Sequence, residues 1–271
     1  MNQPPCGIIT LITDFGLRDS YVGTMKGVIL SINQQARLVD LTHQIEPQDL
    51  MEGSFVLENS YRFFPIGTVH VVVVDPGVGT RRRPIIVDTP DHIFVGPDNG
   101  IFSRIYASKA PFEVREISNR NILLPQISDT FHGRDVFAPA AAHLSRGMPA
   151  SEMGPIVDEP MRQDPPQPGV WQDQITGEVI HIDSFGNLIT NVARDVFEMV
   201  VRGKRLRIVI NGKVIDRISR NYQDVEPARA LALFGSLDLL EIAVHNGRAD
   251  RRLGVGRGDP VQIFTEPESL V

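Results

Sequence analysis

The chain has 271 residues, 42% of them apolar, enough to bury a substantial core in one large domain or two smaller ones. A net charge of −6 without a basic arm argues against a dedicated nucleic-acid binder, whose domain is normally basic. Cys6 is the only cysteine, which excludes an intrachain disulfide framework and a multi-cysteine zinc site; the absence of a signal-peptide pattern at MNQPPCGIITLITDFG and of any run of about 18 apolar residues leads us to expect no membrane partner and a cytoplasmic protein.

In chain order, Gly7–Ile12 reads as an apolar strand and Ser20–Ile32 as a helix entered through an Asp/Ser cap with one apolar face. Gln48–Arg62 reads as a second helix. The run Thr68–Arg83, TVHVVVVDPGVGTRRR, follows. Its valines at Val71–Val74 suit a strand buried on both faces, and in open α/β sheets ligands sit just beyond the carboxyl ends of such strands. Asp75 is thereby delivered onto a turn that Pro76, Gly77 and Gly79 allow to reverse sharply, with Arg81, Arg82 and Arg83 adding positive charge beside it. Ile85–Val87 and His92–Val95 read as further strands, and Asp135–Arg146 as a third helix that Pro139 is expected to kink or shorten.

Strands alternating with helical patterns predict the α/β class, with a layered domain over residues 1–154 built on a mostly parallel sheet. The proline density of Pro155–Gly169 marks a linker over residues 155–170. Beyond it, Glu178–Asp183, Arg205–Ile210 and Leu239–Val244 are short alternating segments, so residues 171–271 are expected to form a small β domain. No internal repeat is present.

Four polar constellations share a placement at strand ends or loops. Thr13-Asp14-Phe15-Gly16 follows the first strand, where a carboxylate can accept both hydroxyls of a ribose or cap the next helix. The Asp75 loop is the second. In the third, TFHGRD at 130–135, His132, Arg134 and Asp135 bunch around Gly133, and histidine is the side chain best matched to proton transfer near neutral pH. The fourth, DSFGNLITN at 183–191, joins an aspartate, an aromatic and two amides, as base recognition or an ordinary hairpin turn would. The glycines of GVGT lack the Gly-Lys-Ser/Thr of a phosphate loop, and no Gly-x-Gly-x-x-Gly, Gly-x-Ser-x-Gly or His-Glu-x-x-His motif occurs. Asp14, Asp75, His132 and His43 carry oxygen and nitrogen donors that a metal could use if they converged.

Taken together, TDFG with DSYVGTMKGVI, FFPIGTVHVVVVDPGVGTRRRPI, VGPDNGIF, TFHGRDVFAPAAAHL, IDSFGNLITN and LLEIAV resemble, in this order and over nearly the whole chain, the S-adenosyl-L-methionine hydrolases (adenosine-forming). These are hydroxide adenosyltransferases related to the fluorinating and chlorinating enzymes. The resemblance implies an N-terminal α/β domain, a C-terminal small β-barrel, and a homotrimer whose sites lie between subunits. It also implies a small-molecule substrate, S-adenosyl-L-methionine, which water or hydroxide splits at the ribose C5′, with no cofactor and no metal.

By the same resemblance Asp75, Arg82 and His132 form the catalytic set. Halogenating relatives lack this aspartate and carry a small hydroxyl residue at the position of Gly133. Asp14 is implied for the ribose hydroxyls, Asn187 for the adenine edge with Phe185 stacking, Asp183 and Ser236 for the methionine ends, and Glu241 and Val244 for the adenosyl pocket. The chain departs from the family's Asn-Ser-x-Gly in FGSLDLLEIA, with Gly235 for the asparagine and Asp238 for the glycine. Two other readings stand beside this one: a metal-dependent hydrolase of a nucleoside-like substrate, and a non-catalytic adenosine-binding protein.

Overall fold

The computed structural model describes residues 4–108, 110–202 and 204–267. The chain divides into two compact units, between Pro165 and Pro166. The first is built on a six-stranded sheet in the order β2-β1-β3-β5-β4-β6. Its strands are β1 Ile8–Thr13, β2 Arg37–Thr42, β3 Thr68–Val73, β4 Pro84–Asp88, β5 His92–Pro97 and β6 Glu113–Glu116. Strands β2, β1, β3 and β5 run parallel, whereas β4 is antiparallel to both β5 and β6.

The valine run of β3 is buried at every position, as two covered faces require. Val69, Val71 and Val73 pack with Met25 and Ile29 of helix α1 (Tyr21–Ile32) and with the alanines of helix Ala138–Ser145. Val72 and Val74 face the opposite layer, with Leu57 of α2 (Leu50–Ser60) and Phe94. The helix expected over Asp135–Arg146 is two elements: a π-helical turn, Gly133–Phe137, then the α-helix Ala138–Ser145. Pro139 falls in the first turn of that α-helix, directly after the π-helical turn, so the helix is broken in type where the proline is expected to disturb it.

Because β2 lies on one side of β1 and β3 on the other, the chain reverses its direction of winding at the β1/β3 seam. Such a switch point opens a crevice at the carboxyl ends of the strands. Asp14 follows β1 and Asp75 lies two residues beyond β3, so the sheet itself sets these two carboxylates side by side.

The proline-rich segment forms no long element, and its first part lies along the first unit: Val157 N–H bonds to the Val114 carbonyl at 2.8 Å and Met161 N–H to Asp98 Oδ1 at 2.7 Å. The second unit is an eight-stranded antiparallel sheet curled into a nearly closed barrel. Its strands are β7 Gly169–Trp171, β8 Gln174–Ile182, β9 Leu188–Ala193, β10 Lys204–Ile210, β11 Lys213–Ile215, β12 Ala230–Phe234, β13 Leu239–Val244 and β14 Pro260–Pro267. Ile175, Val179, Leu188, Ile242, Val261 and Ile263 fill its core.

Candidate active site

Asp75, Arg82 and His132 meet in the first unit. Arg82 Nε donates to Asp75 Oδ1 at 2.9 Å and to Oδ2 at 3.0 Å, while its Nη2 donates to Asp75 Oδ2 as well. The same Nη2 lies 2.9 Å from His132 Nδ1. Both members of the ion pair are withdrawn from solvent, with side chains 8% and 5% exposed for Arg82 and Asp75. The guanidinium also rests 5.2 Å from the centroid of the buried Phe137 ring, which fixes its plane.

Guanidinium is a donor only, so His132 Nδ1 must accept, and a neutral ring then carries its proton on Nε2. Burial, reinforced by the Arg82 charge, pushes the His132 pKa below its ordinary value, against the opposing pull of Asp75, Asp135 and Asp129. His132 stands at the entry to the π-helical turn Gly133–Phe137, which aims the ring back toward the end of β3. Gly79 is needed in the Asp75 loop: it has φ +76°, and a Cβ there would collide with the Asp129 carbonyl.

The other two arginines are spent elsewhere or exposed. Arg83 holds Asp98 Oδ2 through Nε at 2.8 Å and Nη2 at 2.6 Å, and Arg81 is exposed. In TFHGRD, Arg134 pairs with the fully buried Asp135, whose Oδ2 also accepts the Ser128 N–H at 2.8 Å. Those two residues brace the loop, and His132 alone of the trio lines the cleft.

That cleft has a volume of about 410 Å³ and is lined by Asp14, Asp75, His132, Gln48, Tyr21 and Phe131 among others. Asp14 Oδ2 accepts the Gln48 N–H at 2.9 Å. Phe15, Tyr21 and Phe131 form a mutually edge-on triangle at centroid separations of 5.8, 5.9 and 5.2 Å. The Asp14 carboxylate, a vicinal-diol acceptor in kind, with aromatic walls, an imidazole and the Arg82-paired Asp75 suits a sugar carrying a cationic or neutral substituent.

In the second unit, Asp183 knots the turn between β8 and β9. Its Oδ1 accepts the N–H groups of Phe185 and Asn187, both at 2.9 Å, and its Oδ2 accepts Asn187 Nδ2 at 2.9 Å. Asn187 is buried, while Phe185 stands 75% exposed. Glu241 is buried in β13, where Tyr222 Oη donates to its Oε1 at 2.8 Å. Burial raises the Glu241 pKa, with the nearby Asp183 charge adding to it against the Tyr222 hydrogen bond; burial and Glu241 together push Tyr222 up to about 12. Val244 packs in the barrel core, and Ser236 is exposed in the β12–β13 turn.

Both departures in that turn have local partners. Asp238 adopts φ +59°, a conformation natural to glycine and tolerated by aspartate, and Arg194 Nε donates to its Oδ1 at 2.6 Å. Gly235 leaves room for Glu241, whose Oε2 would lie 2.5 Å from a Cβ at that position. Sequence reading missed Tyr222 and Gln48; neither stands in a motif, and the left-handed Gln48 backbone, φ +68°, leaves no compositional signal.

Among the described residues, no group of three or more His, Cys, Asp or Glu is arranged to hold a metal ion. Asp75 is engaged by Arg82, and the His43 ring faces Thr13 and Asp40. No helix among the described residues is long and apolar enough to cross a membrane.

A carboxylate, imidazole and guanidinium gathered at the switch point of an α/β sheet, in a chain whose second unit is a β-barrel, match the class of α/β proteins that bind ligands at the carboxyl ends of their strands. Residues 9–154 match the SAM hydroxide adenosyltransferase N-terminal domain and residues 177–262 its C-terminal domain, and the chain belongs to this family. It is 36% identical over 264 residues to an (R)-S-adenosyl-L-methionine hydrolase of Salinispora tropica, covering 96% of this chain and 98% of that one. A protein of the same name from Thermus thermophilus is also 36% identical, over 94% of this chain and 99% of its own. A fluorinase of an Actinoplanes species is 30% identical over 76% of this chain and 78% of its own. Among solved structures, a conserved protein from Thermotoga maritima superposes with a TM-score of 0.88 at 37% identity, covering 94% of this chain and 99% of that one.

Proposed function

We propose that this chain hydrolyses S-adenosyl-L-methionine to adenosine and L-methionine, with water attacking the ribose C5′. The observation that carries this reading is that Asp75 and His132, joined through Arg82, line the same cleft as Asp14. Relatives named for this reaction, at 36% identity along almost the whole chain, support it.

The chemistry suits these groups. A sulfonium leaves as a neutral thioether when the C5′–S pair moves to sulfur, so no acid is needed at the leaving group. The demand falls on the nucleophile. In this scheme a carboxylate oxygen of Asp75 accepts a proton of the attacking water, and His132 Nε2–H donates to its oxygen as hydroxide character grows. Arg82 holds the Asp75 carboxylate in place and His132 in the required tautomer. The negative cleft disfavours halide entry, so hydrolysis is favoured over halogenation.

The remaining assignments belong to the same proposal: Asp14 binds the ribose hydroxyls, Asn187 and Phe185 the adenine, Asp183 and Ser236 the methionine, and Glu241 and Val244 border the adenosyl group. We also propose two domains, 1–154 and 171–271, joined by residues 155–170, in a cytoplasmic homotrimer whose sites are shared between subunits; the support for the trimer is family resemblance. The test is incubation of the purified protein with S-adenosyl-L-methionine in ¹⁸O-labelled water. Label in the adenosine 5′-hydroxyl with equimolar methionine is expected, and intact substrate or label elsewhere refutes the reaction.

A further inference from the structure

The loop that presents Asp14 is gripped from behind by a residue outside the reacting cleft. His43, only 3% exposed, brings its Nδ1 to 2.9 Å from Thr13 Oγ1, and its backbone carbonyl accepts the Gly16 N–H at 2.7 Å. One residue thus holds the loop on both sides of Asp14. Thr13 Oγ1 also accepts the Phe15 N–H at 3.2 Å, which directs its own hydroxyl proton toward His43 Nδ1. With Nδ1 accepting, a ring N–H stands on Nε2, which sits 3.0 Å from Asp40 Oδ1, off the line of a straight hydrogen bond. Asp40 in turn accepts from Lys26 Nζ through its other oxygen at 2.6 Å. Burial pushes Asp40 up, but the Lys26 hydrogen bond and the close approach of His43 outweigh it and hold the carboxyl below its ordinary value.

The order Asp40, His43, Thr13 has the connectivity of a nucleophile triad, yet the Thr13 side chain is wholly buried and does not line the cleft. Its product is orientation instead. An apolar residue could fill the space behind the sheet without the desolvation cost of a buried imidazole paired to a hydroxyl and a carboxylate. On the opposite side, the Gln48 N–H closes on Asp14 Oδ2 from a left-handed backbone. Two independent braces on one short loop match what a carboxylate needs if it is to meet two vicinal hydroxyls, since such sites hold their geometry to about 0.5 Å.

We propose that His43 is a positioning residue for the ribose: through Thr13 and Gly16 it fixes the loop so that Asp14 meets both hydroxyls. This rests on the ribose role of Asp14 proposed above. The test is calorimetry with adenosine and 2′,3′-dideoxyadenosine on the full chain, comparing the parent, Asp14→Ala, His43→Leu and the double variant. His43→Leu should weaken adenosine by about tenfold or more while dideoxyadenosine changes less than about threefold, and should add almost nothing in the Asp14→Ala background. His43→Asn, whose side-chain carbonyl stands near the place of Nδ1, should recover most of the loss. If His43→Leu does not fold, Thr13→Val, which exchanges only the hydroxyl for a methyl, is expected to show the same adenosine-selective loss.

Equal weakening of both nucleosides, or additive effects of Asp14→Ala and His43→Leu, overturns the proposal and makes His43 a general support of the sheet. A different failure is visible in the single Asp14→Ala variant. If that change weakens both nucleosides alike, the ribose role of Asp14 is wrong, and the positioning role falls with it.

Discussion

Arg82 Nη2 bridges Asp75 Oδ2 and His132 Nδ1, so one guanidinium group sets both the orientation of the carboxylate and the tautomer of the imidazole. The arrangement makes Arg82 an organiser whose loss disturbs two groups at once. Arg82→Lys can still neutralise Asp75 but cannot hold both partners with a rigid fork. Asp75→Ala and His132→Ala should each lower turnover by about 10²–10⁴ while leaving adenosine affinity within a few-fold of the parent. Arg82→Lys should fall between these variants and the parent. Parent-like turnover by Asp75→Ala, measured as adenosine release, would remove the proposed activation of water.

The acid limb of the pH profile follows from the same contact. His132 must be neutral for Nδ1 to accept from Arg82, and burial with the Arg82 charge holds its pKa below the ordinary value near 6.5. Protonation is therefore delayed as pH falls. kcat/KM should stay level through the ordinary imidazole range and drop only at lower pH, and this drop should vanish from the residual activity of His132→Gln. A midpoint at or above about 6.5 in the parent would contradict the geometry.

Strand ends were readable from the sequence because they depend on local pattern. The valine run marks β3 as doubly covered, and Asp14 and Asp75 inherit their places from strands that parallel pairing brings side by side. What could not be read depends on loop path and non-local partners. The residue pattern alone does not tell Arg82 from Arg81 and Arg83, between which family resemblance has to choose; in the fold Arg82 holds Asp75 while Arg83 turns to Asp98. Tyr222 reaches Glu241 across 19 residues of chain, with no periodicity to announce it. His43 has the donors of a metal ligand in sequence, and its tie to Thr13 comes from the parallel pairing of Ile12 with Thr42. The π-helical turn after His132 has no composition of its own, so it reads as ordinary helix.

Gly235 is expected to be intolerant of substitution. A Cβ there would press to 2.5 Å from Glu241 Oε2, beside the carboxyl oxygen that Tyr222 holds at 2.8 Å. Gly235→Ala should displace Glu241 and lower the Tyr222 pKa toward 10, because the raising influence of Glu241 weakens. Ultraviolet titration of tyrosinate, with Tyr222→Phe as reference, checks this; an unchanged Tyr222 titration with parent-like stability would mean that the turn opens to admit the methyl group.

A buried pair of histidines predicts acid sensitivity of the first unit. His70 is fully buried, with Nδ1 at 2.7 Å from Thr10 Oγ1 and Nε2 at 3.4 Å from His92 Nδ1; burial, with His92 beside it, lowers its pKa to about 3. The folded chain therefore refuses a proton that the unfolded chain accepts near pH 6.5. Its stabilising effect is full above that pH and is lost as pH falls from about 6.5 toward 3, at up to about 1.4 kcal/mol per pH unit. His70→Phe keeps the stacking on Phe94, 5.2 Å between centroids, but leaves Thr10 without its partner. It should be less stable at pH 7.5 by about 1–3 kcal/mol and show a shallower loss between pH 6 and 4 in urea titrations. A slope as steep as the parent's would assign the acid sensitivity to other groups.

The proposed sharing of sites between subunits has its own test, because Asp75 belongs to the first unit and Asn187 to the second. If each site takes its catalytic set from one subunit and its base-binding residues from another, a defect in each half can be complemented. Asp75→Ala and Asn187→Ala are each expected to be nearly inactive alone. When they are unfolded together and co-refolded, some mixed interfaces should join an intact Asp75 to an intact Asn187 and recover a fraction of parental turnover. Sites confined to single chains can never recover, since every chain carries one defect. Native mass spectrometry verifies the mixed assemblies and their subunit number. Mixed oligomers without recovered activity, or a monomer by light scattering at working concentration, would defeat the shared-site trimer while leaving the hydrolysis itself to the labelled-water experiment.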